Sequence, residues 1–559
     1  MLDMKRKSYL TTPFLFELNL KVIGICMRSF SFMSSQNIVH QRLLVFFFFF
    51  CVQVIRNLKW MDLKCSKNLK ELPDLSTATS LKELNLEDCS SLVELPASLG
   101  NATNLEILNL SGCSNLKMLP SCIGNATNLR ELFLRSCSSL VKLPSSIGNI
   151  TCLKDLNLSG CSSLVTLPSS TGNIIGLKNL ILSECSSLVK LPSSIGKITG
   201  LKNLVLSECS SLVELPSSIG HITGLHNLNV SNCLSLKELP SSIGNITNLE
   251  KLYLNGCSKL EALPNDINMV SLDVLDLADC SMLKTFPEIS KNIRVLILNG
   301  TAIEEVPSSI KSWPRLDNLH MSYHENLNDF PHVFDIITEL HLSDTGIQEI
   351  APWVKQISRL RVLVIKGCTK LVSLPELPES LAFLNAENCE SLERLHCSFH
   401  TIKFIGLNFV NSFKLNQEAR DLIIKTSACR FSLFPGEKVP TYFTYRATGN
   451  SLSMKWNGID TFPRSLSFKA CVLLVNKGDV EVGDRKMVGV SYCLKEKHNG
   501  DNVNRRSRRY HHGSPLLKEH LYTFHVDVEV SSNEFFFDFE VYDKKWEIGE
   551  SGLNLVPTL

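Results

Sequence analysis

Nine cysteines, Cys65, Cys89, Cys113, Cys137, Cys161, Cys185, Cys209, Cys233 and Cys257, recur at intervals of 24 residues. Thiols in such a series can hold a metal, exchange disulfides or simply fill space. Zinc wants four donors converging tetrahedrally, and a single file of thiols one repeat apart offers no such cluster. Redox pairing fits poorly, because Thr301 and Thr345 hold the same slot without a thiol. A small buried side chain with weak hydrogen-bonding ability suits the column better, and an unoxidised thiol ladder points to a reducing compartment. The fourteen histidines are scattered: His511 and His512 fall in a charged stretch, and His320 and His341 read as two repeats apart. With no nucleophile–base pair and no ligand spacing, no catalytic, metal or cofactor site is expected, nor a small-molecule substrate.

Composition narrows the partners. Lys and Arg total 57 against 55 Asp and Glu, a formal charge of +2, so no global field favours a specific nucleic acid or an acidic substrate. With 44% apolar and 20% charged residues, wholesale disorder is excluded. Twenty cysteines in 559 residues are too dilute for a disulfide framework.

What positions the thiols is a repeat. Each lies in the same sentence, as in Leu153-Lys-Asp-Leu156-Asn-Leu158-Ser-Gly-Cys161-Ser-Ser-Leu164, followed by Leu167-Pro168. A fixed period with L-x-x-L-x-L-x-x-C-x-x-L is the leucine-rich-repeat signature. The register continues at Cys280, Thr301, His324, Thr345, Cys368 and Cys389 with steps alternating between 21 and 23 after the first, so curvature should change near residue 280. Alternation along a strand sends Leu84 and Leu86 inward and Glu83, Asn85 and Glu87 outward. Stacked at about 4.8 Å per strand, fifteen units from Leu58 onward make an arc of roughly 70 Å. Units this short have room for a strand and a 3₁₀ turn, not a full helix, and Gly100 is read as letting the convex side turn back. The expected fold is an α/β-type leucine-rich-repeat solenoid, with a parallel sheet on the concave face and a mostly turn and 3₁₀ convex side, followed by an antiparallel β-sandwich.

The domain reading runs 1–53 non-repeat segment, 54–400 solenoid, 401–429 linker with a short helix, and 430–559 β-sandwich. In the first segment, Leu43-Leu44-Val45 leads into Phe46–Phe50, an apolar run shorter than the roughly 20 residues of a membrane span. No membrane span is expected. Pyrimidine-only Phe codons before Cys51-Val52-Gln53 suggest a translated intron; a signal or anchor core and a genuine arm are the alternatives. The array starts without a polar capping unit, so an upstream domain or a docked partner is expected to cover it. In the linker, Asn416–Ile424 reads as an amphipathic helix. Beyond it, Thr441–Phe443, Ser451–Met454, Ala470–Val475, Val488–Tyr492, Tyr522–Val526 and Phe535–Phe539 read as strands of a sandwich.

These residues resemble a family. The Leu-Asn-Leu-Ser-Gly-Cys-Ser-Ser-Leu-Val repeats and Asn299–Pro307 are similar to those of plant TIR-type nucleotide-binding leucine-rich-repeat disease resistance proteins. Leu415–Asp421, Phe434–Pro440, Tyr442–Arg446 and Lys545–Gly549 resemble their post-repeat jelly-roll/Ig-like domain. The resemblance covers about residues 54–559. It implies the sensing half of a cytoplasmic or nuclear immune receptor, whose protein partner is a pathogen effector or host protein. A receptor chain carrying a nucleotide-binding domain is a further implied partner. The sequence shows no Gly-x-x-x-x-Gly-Lys-[Ser/Thr] loop, which Gly196-Lys197-Ile198-Thr199 does not satisfy, and no N-terminal TIR-like α/β region, so neither the nucleotide switching nor the NAD cleavage that the resemblance would imply is assigned to it.

Partner contact is expected at outward strand positions. The candidates are Glu83, Asn85, Glu131, Phe133, Arg135, Ile181, Lys251, Tyr253, Ile297, Val364 and Lys366. Phe133, Ile181, Val205, Tyr253, Ile297 and Val364 place apolar groups where water is expected, and a contiguous stripe of them would mark an interface. An ordinary solenoid surface is the plainer reading. Arg505, Arg506, Arg508 and Arg509 form the one basic cluster, read as a solvated hairpin loop that alternatively serves polyanion contact or nuclear import. Sequons at Asn101, Asn125, Asn149 and Asn245 keep an extracellular receptor-like protein open, although repetition copies a sequon as readily. A scaffold without pathogen sensing and an inactive gene remnant also remain open.

Overall fold

The computed structural model describes residues 56–264, 267–322, 335–343, 346–397, 405–426, 429–455, 465–477, 487–498, 501–512, 515–529, 534–542 and 545–556. The readings made of residues 1–53 lie outside the described residues. Two compact units divide the chain, Met1–Leu228 and Asn229–Leu559.

In the first unit, three-residue strands Trp60–Asp62, Glu83–Asn85, Ile107–Asn109, Glu131–Phe133, Asp155–Asn157, Asn179–Ile181 and Asn203–Val205 pair in parallel without slips. The strands are short because the sequence alternates for only two leucines before it turns. Leu84, Leu86 and their equivalents are fully buried, while the residues between them are half-buried on the outer side. Cys65, read as the first of the column, is exposed, is itself left-handed (φ 60°) and holds the place that Asp88 takes in the next repeat, so it falls one residue short of the column. From Cys89 onward the residue before each column cysteine adopts left-handed backbone, as at Asp88 (φ 60°), Gly112 (φ 76°) and Glu184 (φ 61°). Each thiol then donates to a carbonyl of the preceding repeat: Cys113 to Leu86 at 3.2 Å, Cys161 to Leu134 at 3.1 Å and Cys209 to Leu182 at 3.1 Å.

The thiol column is therefore a hydrogen-bonded packing column, and its cysteines are free. Burial pushes the thiols of Cys113, Cys137, Cys185 and Cys209 up to about 12, so they carry almost no thiolate at neutral pH. Iodoacetamide should accordingly modify exposed Cys65 and Cys152 in the native protein, but reach the column only after unfolding. Peptide mapping that finds Cys137 or Cys161 modified at the rate of Cys152 would show the column to be open.

On the opposite side of each repeat from the second onward in this unit, a proline precedes a 3₁₀ helix, as in Ser145–Asn149 after Pro144 and Ser193–Lys197 after Pro192. The glycine in each of these helices is there for proximity, which corrects the turn role expected of Gly100. A Cβ on Gly100 would meet Cys122 Cβ at 2.7 Å, and one on Gly172 would meet the Ser194 carbonyl oxygen at 2.3 Å. Glycine lets successive 3₁₀ helices approach backbone to backbone.

The second unit continues the repeat pattern with less regular lengths. Lys251–Tyr253, Val274–Asp276, Val295–Ile297, Asn318–Ser322, Ile337–His341, Val362–Val364, Phe383–Asn385 and Ile405–Asn408 pair in parallel. The register shifts between Leu319 and His320. Ile405–Asn408 pairs in parallel with Cys429–Pro435, which pairs antiparallel with His520–Glu529. The repeat sheet of this unit thus runs directly into antiparallel strands. Between them lies the helix Gln417–Lys425, capped by Asn416, whose side-chain oxygen accepts the Ala419 N–H at 2.8 Å.

The antiparallel strands make two sheets. One continues from His520–Glu529 through Ser465–Asn476 and Trp546–Val556 to Tyr445–Thr448. The other runs Ser451–Lys455, Glu534–Val541, Met487–His498, Asp501–His512. Aromatic rings fill the space between them: Phe468 meets Phe537 at 5.7 Å, and Phe524 meets Tyr492 at 6.1 Å and Phe539 at 6.2 Å.

Two sequence expectations fail here. Thr441–Phe443 is a turn, closed by the Phe443 N–H on the Pro440 carbonyl at 3.1 Å, and the strand begins at Tyr445. The basic cluster Arg505, Arg506, Arg508 and Arg509 is no loop: it lies within the strand Asp501–His512, paired along its length with Met487–His498. That strand is at the sheet edge, where a run of charge discourages pairing with another chain.

Candidate recognition surface

The outer side of the strands is built from two residue rows. In the first unit one row reads Glu83, Ile107, Glu131, Asp155, Asn179, Asn203, and the other Asn85, Asn109, Phe133, Asn157, Ile181, Val205. Burial raises the carboxyl of Glu131 first, and the charges of adjacent Asp155 and of Glu83, two strands away, raise it further. Beside it, the Asn203 side chain donates to Asn179 at 2.6 Å, and Asn179 donates to Asp155. The Asp155, Asn179 and Asn203 part of the first row is thus a bonded acid and amide ladder.

The second row has a structural default. Asn85, Asn109 and Asn157 each accept, on the side-chain oxygen, the N–H two residues on, at 3.1, 3.0 and 3.0 Å. Asn229, Asp276 and Asn385 do the same in the second unit at 2.9, 3.0 and 3.2 Å. These bonds close the turn that leaves the strand. Asn85, expected to face a partner, is therefore occupied locally. At Phe133, Ile181, Val205, Tyr253 and Ile297 the same slot holds a side chain that cannot make this bond. Each such position forgoes about 1 kcal/mol of local hydrogen bonding in exchange for a half-exposed apolar group.

The apolar residues do not form one continuous stripe. Ile181 and Val205 are register neighbours, but Asn157 separates Phe133 from Ile181, and Asp276 separates Tyr253 from Ile297. Arg135 and Lys251 are exposed, and Val364 is half-buried. Lys366 has a different duty. Its ammonium lies 3.3 Å from Glu387, whose side chain is 1% exposed, so it serves as counter-ion to a buried carboxylate that Asn408 also bonds.

Sequence reading placed His320 and His341 two repeats apart; the structure puts them on adjacent strands. The Glu339 carboxylate lies beside both, 3.2 Å from His320 Nδ1 and 3.3 Å from His341 Nε2. Burial lowers the His320 imidazole, opposed by the charge of Glu339. Burial works to raise Glu339, but the His341 hydrogen bond and the two imidazoles hold it below the usual carboxylate range.

The post-repeat motifs converge on one strand, Trp546–Val556. The Val439 N–H donates to the Glu550 carboxylate at 2.7 Å, the Thr444 hydroxyl to Asn554 at 2.9 Å, and Tyr445 pairs with Leu553. A Cβ on Gly552 would meet Val439 at 2.6 Å and Phe443 at 2.9 Å. The segments Phe434–Pro440 and Tyr442–Arg446 thus pack on the strand that Lys545–Gly549 leads into.

Known proteins share this framework. The Leucine Rich Repeat family model matches residues 104–126. The probable disease resistance protein RPP1 of Arabidopsis thaliana is 50% identical over 292 residues, 52% of this chain and 24% of its own length. The disease resistance protein TAO1 of the same plant is 49% identical over 182 residues, 32% of this chain and 14% of its own. The chain is related to the plant disease resistance proteins through its leucine-rich repeats. A solved leucine-rich-repeat protein of Leptospira interrogans is 24% identical, with a TM-score of 0.49, covering 67% of this chain and 95% of its own. The matches span about a quarter or less of the disease resistance relatives' lengths. Leucine-rich repeats are a protein-interaction fold without chemistry of their own. No helix among the described residues is long and apolar enough to cross a membrane.

Proposed function

We propose that this chain is the recognition part of a plant immune receptor of the cytoplasm or nucleus, binding a pathogen effector or a host protein in defence. The observation that carries the reading is the exchange at the turn-closing slot. Inward positions repeat leucine after leucine, whereas Phe133, Ile181, Val205, Tyr253 and Ile297 replace a stabilising Asn with an apolar side chain. An apolar group in that slot forgoes the turn bond and stays half exposed until a partner covers it, which is the pattern of a contact residue. Relation to disease resistance proteins supplies the setting. In this reading the outer strand positions of each unit carry the contact, and the sandwich of residues 430–559 takes part in it. A receptor chain carrying a nucleotide-binding domain is the second partner this reading implies.

Co-immunoprecipitation from leaves, before and after infection, tests the proposal. A partner gained on infection should be lost from Phe133→Asn and Tyr253→Asn variants. These changes restore the turn bond, so folding is kept and only contact is removed. A partner set that is the same in healthy and infected leaves would favour the scaffold reading and end the sensing one.

A further inference from the structure

The His320, Glu339 and His341 side chains make a geometry that neither sequence pattern nor protein recognition explains. We propose that they form a binding site for a divalent transition metal ion, zinc above all, on the outer face of the repeat sheet of the second unit. The three ligand atoms lie within 4.8 Å of one another. Two of the separations, 3.2 Å and 3.3 Å, match the spacing of donors on a zinc tetrahedron. Ligands at about 2.0–2.1 Å from zinc stand about 3.3–3.4 Å apart along each tetrahedral edge. An ion can therefore enter with small side-chain adjustments.

The backbone holds the donors in place. His320 and Glu339 are register partners on Asn318–Ser322 and Ile337–His341, and His341 follows Glu339 by two on the same face. The register shift between Leu319 and His320 sets this pairing. Strand-borne donors are more fixed than loop-borne ones, as a metal site requires. Two imidazoles and a carboxylate suit zinc, nickel or cobalt and disfavour calcium or magnesium, which want oxygen alone. Nearby Asp276 adds negative charge toward His320. The adjacent Ser322 hydroxyl is already engaged, accepting the Gly300 N–H at 2.6 Å. All three side chains are partly exposed, at 19%, 27% and 26%, so the fourth coordination position faces outward. Water, or a donor from a bound protein, fills it.

The full chain, without a histidine tag and with its thiols kept reduced, should bind one Co²⁺ with visible d–d bands and without the intense thiolate charge-transfer band. Zn²⁺ should displace it. His320→Asn, His341→Asn and Glu339→Gln, each checked by circular dichroism and melting, should weaken Zn²⁺ binding at least about tenfold. A thiolate band, unchanged affinity in folded variants, or no binding short of millimolar zinc would each overturn the assignment. In those cases the cluster is an ion-paired His–Glu–His group.

Discussion

As the pH falls from 6.5 to 4, His520 should cost the second unit about 3 kcal/mol of stability, and a His520→Gln variant should not show that loss. The ring is fully buried where the last repeat strand meets the sandwich. Its Nε2 accepts the Asn411 N–H at 2.9 Å and its Nδ1–H donates to the Lys518 carbonyl at 2.8 Å, an arrangement only a neutral imidazole can make. Phe413 closes over it edge-on at 5.8 Å. Burial lowers its pKa from 6.5 to about 4, against smaller raising effects of the Lys518 carbonyl and the Glu519 charge. In that window the folded protein therefore binds fewer protons than the unfolded chain. The stabilisation is whole above pH 6.5 and disappears as pH falls through the folded value. Melting curves of wild type and His520→Gln, taken at several pH values and subtracted, isolate this term from the carboxylates. A difference curve that is flat from pH 7 to 4 would mean the ring is not held neutral.

Asn411 shows why this junction matters. Its backbone is left-handed at φ 60°, and its side chain bonds Asn388, the Pro515 carbonyl and the Leu517 N–H at 2.8, 3.1 and 3.1 Å. One residue thus ties a repeat turn to the loop that enters the sandwich. Together with Cys429–Pro435, which pairs with a repeat strand on one side and a sandwich strand on the other, it joins the two parts inside the second unit.

What could be read from the sequence follows the range of the forces. Leu84, Leu132 and Leu180 are buried because a period of 24 repeats the same local alternation, and a period is visible in one dimension. The thiol column and the 3₁₀ turns follow for the same reason. His320 and His341 lie one 21-residue step apart, so the repeat count itself places them on adjacent strands; what counting does not give is the register shift that sets Glu339 opposite His320 and so brings the three together. Lys366 looked like a surface cation because burial of its partner Glu387 depends on Asn408 in a later strand. Asp501–His512 lacks the apolar alternation that marks a half-buried strand, since an edge strand can be polar. Each miss lies where a partner distant in sequence decides the role.

Lys469 likewise has its role set by partners distant in sequence, and its replacement should be among the more damaging polar changes in the sandwich. Lysine in the apolar run Ser465–Asn476 reads as an exposed residue between buried ones, yet it is fully buried. Its ammonium donates to the carbonyls of Ile424 at 2.6 Å and Thr426 at 2.7 Å, with Ile423 at 3.5 Å. Those are the last carbonyls of the helix Gln417–Lys425, which have no partner within the helix and carry the negative end of its dipole. Burial lowers the lysine's pKa, partly offset by the neighbouring thiols of Cys429 and Cys471. The side chain donates in either protonation state, so the bonds persist. Lys469→Met keeps most of the volume and strands the buried carbonyls, at a cost of about 2–4 kcal/mol. Lower melting should be accompanied by faster amide hydrogen exchange along Gln417–Lys425, because the helix loses its C-terminal anchor. Alanine in place of the exposed Lys425 should leave both unchanged within about 0.5 kcal/mol. If Lys469→Met melts with the wild type while the helix exchanges no faster, the helix is held by its apolar face, Ala419, Ile423 and Ile424, and the lysine is incidental.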